Sequence, residues 1–149
     1  MSSAPLQKPW YLDPLFWWMQ AAALPVWGVA LAGSSGQPNL GWMMLHPGAA
    51  VSVLLLWPLA EELLFRAGLQ TWLLQRWPAH CWVSRANVIT SLCFALTHYW
   101  LQPGWLALAV FFPSLLFGVL RERHRGVTSS TLLHCSYNVG WFMLFPPLL

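Results

Sequence analysis

Five apolar runs, each about twenty residues long and separated by short polar turns, set the limits on how this chain folds. A helix of that length crosses the hydrocarbon core of a bilayer. The runs therefore predict an all-α, polytopic membrane helix bundle with about five transmembrane helices. The first covers about residues 14–33 and ends in the breaker AGSSGQPN. The second starts near His46-Pro47-Gly48 and continues through VSVLLLWPLAEELLFRAGLQTWLLQRW; it is longer than a simple span, and Pro58 predicts a kink within it. The third covers about 85–102, the fourth about 104–120 and the fifth about 129–148. No repeat, low-complexity tract or linker divides them, so residues 1–149 read as a single membrane domain without an aqueous partner domain. The N-terminal stretch has no small-residue cleavage site before a polar mature chain, and it reads as a retained first span.

Charge is scarce, and its placement says more than its sum. Only 7% of residues are charged, against about a quarter in soluble domains. The net charge of +3 does not point to nucleic acid, because the seven Lys/Arg are thinly spread and three of them, Arg121, Arg123 and Arg125, share one short run. Topology explains them better: Lys8, Arg76, Arg85, Arg121, Arg123 and Arg125 all fall on one side of a five-span bundle, and the opposite side has none. The positive-inside rule then predicts a cytoplasmic N-terminus and an outside C-terminus. Trp10, Trp42, Trp77, Trp82, Trp100 and Trp105 lie near span ends, as interfacial anchors do. Cys81, Cys93 and Cys135 are odd in number and form no C-x-x-C, so they indicate neither a disulfide framework nor a cysteine zinc site. His46, His80 and His124 lie in or near loops and receive no catalytic role.

Four carboxylates exist in the whole chain: Asp13, Glu61, Glu62 and Glu122. Asp13 and Glu122 fall at the basic boundary, where a charge needs no special account. Glu61 and Glu62 stand with Arg66 inside PLAEELLFRAG, and ionisable groups within a span are candidates for function. Glu62 and Arg66 are four apart and can pair, while Glu61 points about 100° away and is left free to take and give protons. The alternative is an ion-pair triad that fixes the kink. His98 ends SLCFALTHYW with Phe94 one turn before it; it is either a catalytic imidazole or a hydrogen-bonded packing residue. His134 and Asn138, again four apart in TLLHCSYNVG, present an imidazole and a carboxamide side by side, or else form an interhelical clamp. Counting inward from Arg76, Arg85 and Arg125 puts Glu61, His98 and Asn138 each roughly 20 Å from the basic face, with His134 at roughly 14 Å. One shared site on three spans is the economical explanation.

The ordered set E-E-x-x-x-R (Glu61, Glu62, Arg66), F-x-x-x-H (Phe94, His98) and H-x-x-x-N (His134, Asn138) resembles the CAAX-protease and bacteriocin-processing family of intramembrane proteases. This family is also called the Abi family and includes the Rce1-type prenyl-protein endopeptidases. The resemblance covers about residues 46–149, a protease core preceded by the span at about 14–33. Its length is more like that of small prokaryotic members, some of which accompany systems that process C-terminal membrane tails. The resemblance implies a glutamate-dependent endopeptidase of a prokaryotic inner membrane, acting on a membrane-anchored protein or peptide in the lipid bilayer. Glu61 would be the general base, His98 would help orient and deprotonate water, and His134 and Asn138 would donate to the oxyanion. Glu62, Arg66 and Phe94 would support them. No cofactor is implied, with zinc held by a glutamate and two histidines as the rival. A protein of the same fold that binds a membrane peptide without cutting it, such as an immunity protein, is the non-enzymatic alternative. None of the seven motif positions is degenerate.

Overall fold

The structure is a computed structural model, and it describes residues 9–33 and 41–147. The breaker after the first run falls largely outside the described residues, as do Lys8 and the last two residues. A single 3-10 turn at Trp10–Leu12 leads into helix α1, Pro14–Gly33. A short helix α2, Gly41–Leu45, precedes the long α3, Pro47–Arg76. Then follow α4, Arg85–Leu101, α5, Trp105–His124, and α6, Thr128–Leu144. Among the described residues there is no strand, as the apolar runs predicted.

Among the described residues three helices, α1, α3 and α5, are long and apolar enough to cross a membrane. Helices α4 and α6 follow the third and fifth apolar runs but have 17 residues each. At 1.5 Å per residue that is about 26 Å, a little short of a hydrocarbon core of about 30 Å.

The helix ends follow local chemistry. Asp13 caps α1 by accepting from the Leu15 amide at 3.1 Å, with Pro14 in the first turn, where its missing N–H costs nothing. Ser84 caps α4 by accepting from the Asn87 amide at 3.0 Å. Pro58 produces no break in α3. The segment just before it, Ser52–Leu56, is wound as a π-helix, and a second π-helical segment covers Glu62–Gln70. A wider turn relieves the clash of a proline ring with the carbonyl four residues back, so the helix continues through Pro58 with a change of winding.

Large apolar side chains such as Trp18, Val29, Leu64 and Trp100 are exposed, while Glu62, Arg66, Gln70, Asn87, Thr90, Ser91, Ser114 and Ser130 are buried. This inverted pattern is what lipid as solvent requires, with small and polar groups joining the helices. Trp100 and Trp105 are exposed near helix ends, but Trp42 is not an anchor of that kind: it is 4% exposed and its indole N–H donates to the Phe142 carbonyl at 2.8 Å. That bond ties α2 to the end of α6.

Helices α3 and α5 run parallel, joined by a ladder with a four-residue repeat on each. Arg66 Nη2 donates to Ser114 O at 3.0 Å and to Ser114 Oγ at 2.6 Å. One turn on, Gln70 Nε2 donates to Gly118 O at 3.1 Å and to Glu122 Oε1 at 2.7 Å. Glu122 also accepts from Ser84 Oγ at 2.5 Å, so it is a structural anchor and not merely a boundary charge. Asp13 is another: Arg123 and His124 both pair with it, and the Arg123 guanidinium holds its carboxyl well below the usual carboxylate range against the opposing effect of burial. These contacts pin α1 to the end of α5.

Gly118 lies against the side chain of Asn87 on α4, and a Cβ there would collide with the carboxamide. Asn87 is itself held, donating to Leu115 O at 2.9 Å. Gly118→Ala is therefore expected to cost about 1–3 kcal/mol as an overpacked contact, read as a lowered unfolding midpoint in detergent. An unchanged midpoint would mean that the Asn87 carboxamide moves aside without cost.

Candidate active site

The middle of α3 carries Glu61 and Glu62 at the junction where α-helical winding passes into the second π-helical segment. Single π turns inside α-helices are frequent at functional sites, because they redirect side chains without ending the helix. Glu62 and Arg66 are both fully buried, with Arg66 Nε 3.6 Å from Glu62 Oε2, so the predicted pair forms. Two of the guanidinium nitrogens, Nε and Nη1, have no hydrogen-bond partner; the contacts to Ser114 fall to Nη2.

Glu61 is partly accessible where Glu62 is sealed, yet the two meet the same imidazole. The ring of His134 lies between the two adjacent glutamates, with Nδ1 3.2 Å from Glu62 Oε1 and Nε2 3.5 Å from Glu61 Oε2. His98 approaches Glu61 from the other side, its Nε2 3.8 Å from Oε1. Counting along the helix put His134 nearer the basic face, on the assumption that all helices start at one level; the contacts put it level with Glu61.

Hydrogen-bond partners fix the roles of the rings. His98 Nδ1 is 3.0 Å from the Phe94 carbonyl, which can only accept, so Nδ1 carries a proton. In the neutral ring Nε2 then offers a lone pair beside Glu61. His134 Nδ1 is within hydrogen-bond distance of Glu62, whereas Nε2 stands from Glu61 at an ion-pair distance and can turn to another acceptor.

Phenylalanines close the site. Phe94 lies 4.4 Å from the His98 ring centroid and 5.8 Å from that of His134. Phe117 stacks on His134 at 4.6 Å with planes 19° apart, and both phenyl rings lie near the Arg66 guanidinium. The polar centre is graded in its access: the side chains of Glu61 and His98 are 24% and 30% exposed, whereas Glu62 and Arg66 are sealed. Asn138 sits one turn past His134, and its Nδ2 donates to the Val53 carbonyl of α3 at 2.9 Å.

All seven motif residues thus lie along the contacts of α3, α4 and α6, with Glu61, Glu62, His98 and His134 in one cluster. The sequence reasoning missed Ser114 and Phe117. The signal was present in α5, where Ser114, Gly118 and Glu122 recur every four residues on an apolar helix and match the spacing of Glu62, Arg66 and Gln70. Among the described residues, no group of three or more His, Cys, Asp or Glu side chains is arranged to hold a metal ion. The three cysteines are free.

Comparison with known families gives a match over residues 41–140, two thirds of the chain, to the Rce1-like family of type II CAAX prenyl endopeptidases. Searches of curated proteins and of solved structures returned no match. The matched region holds every residue of the cluster, together with Phe94, Phe117 and Asn138. On the extent of that match, the chain belongs to the Rce1-like family of CAAX prenyl endopeptidases, a family of membrane proteases.

Proposed function

We propose that the protein is an intramembrane endopeptidase that hydrolyses a peptide bond of a membrane-associated protein, near its C-terminal tail. The observation that carries this reading is the meeting of a partly accessible carboxylate, Glu61, with two imidazoles, His98 and His134. Two atoms 3.8 Å apart, Glu61 Oε1 and His98 Nε2, can both lie within about 2.8 Å of one water seated beside the line between them. Glu61 takes a proton from that water as its oxygen attacks the scissile carbonyl carbon. His134 donates to the oxyanion that forms, as does Asn138 through the Nδ2 hydrogen that Val53 does not use. Glu61 then returns the proton to the leaving nitrogen as the C–N bond breaks. Glu62, held by Arg66, orients His134 through Nδ1, and Phe117 supports the same ring.

The proposed mechanism uses no metal. Zinc is the rival, because Glu61, His98 and His134 are also zinc-ligand types. Cleavage by the purified protein is expected to survive strong chelation, with no stoichiometric zinc by elemental analysis. Activity lost on chelation and restored by zinc would transfer the reaction to the metal. The reaction itself is tested by comparing membrane-protein termini, by mass spectrometry, in cells with and without the protein. New termini that depend on it support the peptidase; identical termini with a membrane peptide co-purifying support the non-catalytic binding protein of the same fold.

The proposed setting is a prokaryotic inner membrane with the N-terminus cytoplasmic and the C-terminus outside, which the six basic residues on one side support. A reporter fused after Leu149 is expected to read as extracytoplasmic. A cytoplasmic signal would overturn the five-span arrangement.

A further inference from the structure

Glu61 lies three residues after a proline, and the proline disturbs the hydrogen bonding of α3 in a way that another helix repairs. Trp57 N–H donates to the Ser52 carbonyl, five residues back. The next carbonyl in that register, Val53, would need the N–H of residue 58, and Pro58 has none. A carbonyl left unpaired at membrane depth is costly. Asn138 Nδ2 supplies the missing hydrogen at 2.9 Å. Asn138 is four residues after His134 on the same face of α6, so this bond sets the height of α6 against α3 where His134 enters between Glu61 and Glu62.

We propose that Pro58 is a positioning residue: by leaving the Val53 carbonyl unpaired it creates the socket that Asn138 fills, and the Pro58–Val53–Asn138 link fixes His134 in register with the two glutamates. This rests on the reading of Glu61 as the base only in what the register is for. The link itself is a structural claim with its own measurement.

The test is a double-mutant cycle on the full chain in detergent, with Asn138→Ala, Pro58→Ala and both together. Asn138→Ala is expected to lower the unfolding midpoint by about 3–8 °C when Pro58 is present, because a buried carbonyl loses its donor. In the Pro58→Ala background, where residue 58 has its own N–H, the same change is expected to cost less than a third of that. Equal costs in the two backgrounds overturn the proposal. If Asn138→Ala alone does not accumulate, recovery of the protein by adding Pro58→Ala supports the link, and failure of both to accumulate overturns it.

A second readout separates positioning from mere stability. Pro58→Ala alone is expected to keep or raise the midpoint, since an interior helical proline is normally unfavourable. Yet it should lower kcat for the cleaved substrate at least tenfold with KM unchanged. Full activity in that variant overturns the positioning role. A Glu61→Gln protein that still cleaves would instead sink the peptidase mechanism and leave the stability cycle untouched, so the two failures are distinguishable.

Discussion

Glu61→Gln is expected to give a folded, inserted protein that no longer cleaves. The substitution keeps the size of the side chain and removes its ability to accept a proton, which is the one property the proposed reaction needs. General-base catalysis contributes about 10²–10⁴-fold, so protein-dependent termini should fall below detection. Folding should survive for reasons visible in the contacts. Glu61 meets its histidines at 3.5 Å and 3.8 Å, longer than good hydrogen bonds, and its side chain is partly accessible. Neither histidine is orphaned, because His98 keeps the Phe94 carbonyl and His134 keeps Glu62. The measurement is quantitative mass spectrometry of membrane-protein termini, paired with the amount of inserted protein. Unchanged cleavage at equal abundance would remove Glu61 from the chemistry. Loss of the protein itself would make Glu61 a structural residue.

Much of this arrangement could be read in the sequence, because lipid as a solvent leaves few options. The apolar runs anticipated the starts of α1, α4, α5 and α6 to within about a residue, since Asp13 and Ser84 are caps and the Pro-Gly and Arg-Gly turns are breakers. The helix ends were less exact: α5 continues through its arginines to His124, and α6 stops at Leu144 before Pro146 and Pro147. The Glu62–Arg66 pair was legible because four residues close one turn in either winding well enough for two long side chains to meet. The meeting of Glu61 and Glu62 on one imidazole was not, because it depends on how α6 packs against α3. Nothing in a residue count marks the π-helical segments of α3 except Pro58, which also frees the Val53 carbonyl. Asn138 was assigned to an oxyanion by resemblance, yet one of its hydrogens is engaged by Val53, a partner 85 positions away that no local pattern names. The tertiary partners of Asp13 and Glu122 are not legible either, because a sequence gives no sign of which boundary residues touch. The ladder between α3 and α5 was within reach, since both helices carry polar or small residues at four-residue intervals.

Arg66→Ala is expected to be the most damaging change to the fold. It leaves Glu62 fully buried without its guanidinium and removes the donor that holds the Ser114 carbonyl and hydroxyl. Breaking a buried ion pair by removing one member costs about 3–5 kcal/mol, because the remaining charge stays desolvated and unmatched. For a chain of this size that corresponds to an unfolding midpoint lowered by roughly 6–20 °C. In cells the variant should be depleted by proteolysis. Arg66→Lys should recover little, since a point charge on a flexible stem does not reproduce a planar fork that meets Glu62 on one edge and Ser114 on another. The double variant Glu62→Gln with Arg66→Met removes both charges and should regain much of the lost midpoint, because a neutral amide costs far less to bury than a lone carboxylate. Cleavage should not return with it. His134 then has an amide in place of the carboxylate at Nδ1, and an amide that can turn either its oxygen or its nitrogen to the ring no longer fixes the ring's orientation beside Glu61. Recovery of stability without recovery of activity would divide the two glutamates by task, with Glu62 orienting the imidazole that Glu61 works beside. A double variant as unstable as Arg66→Ala would show that the guanidinium matters through its shape and its contacts to Ser114 and not through its charge.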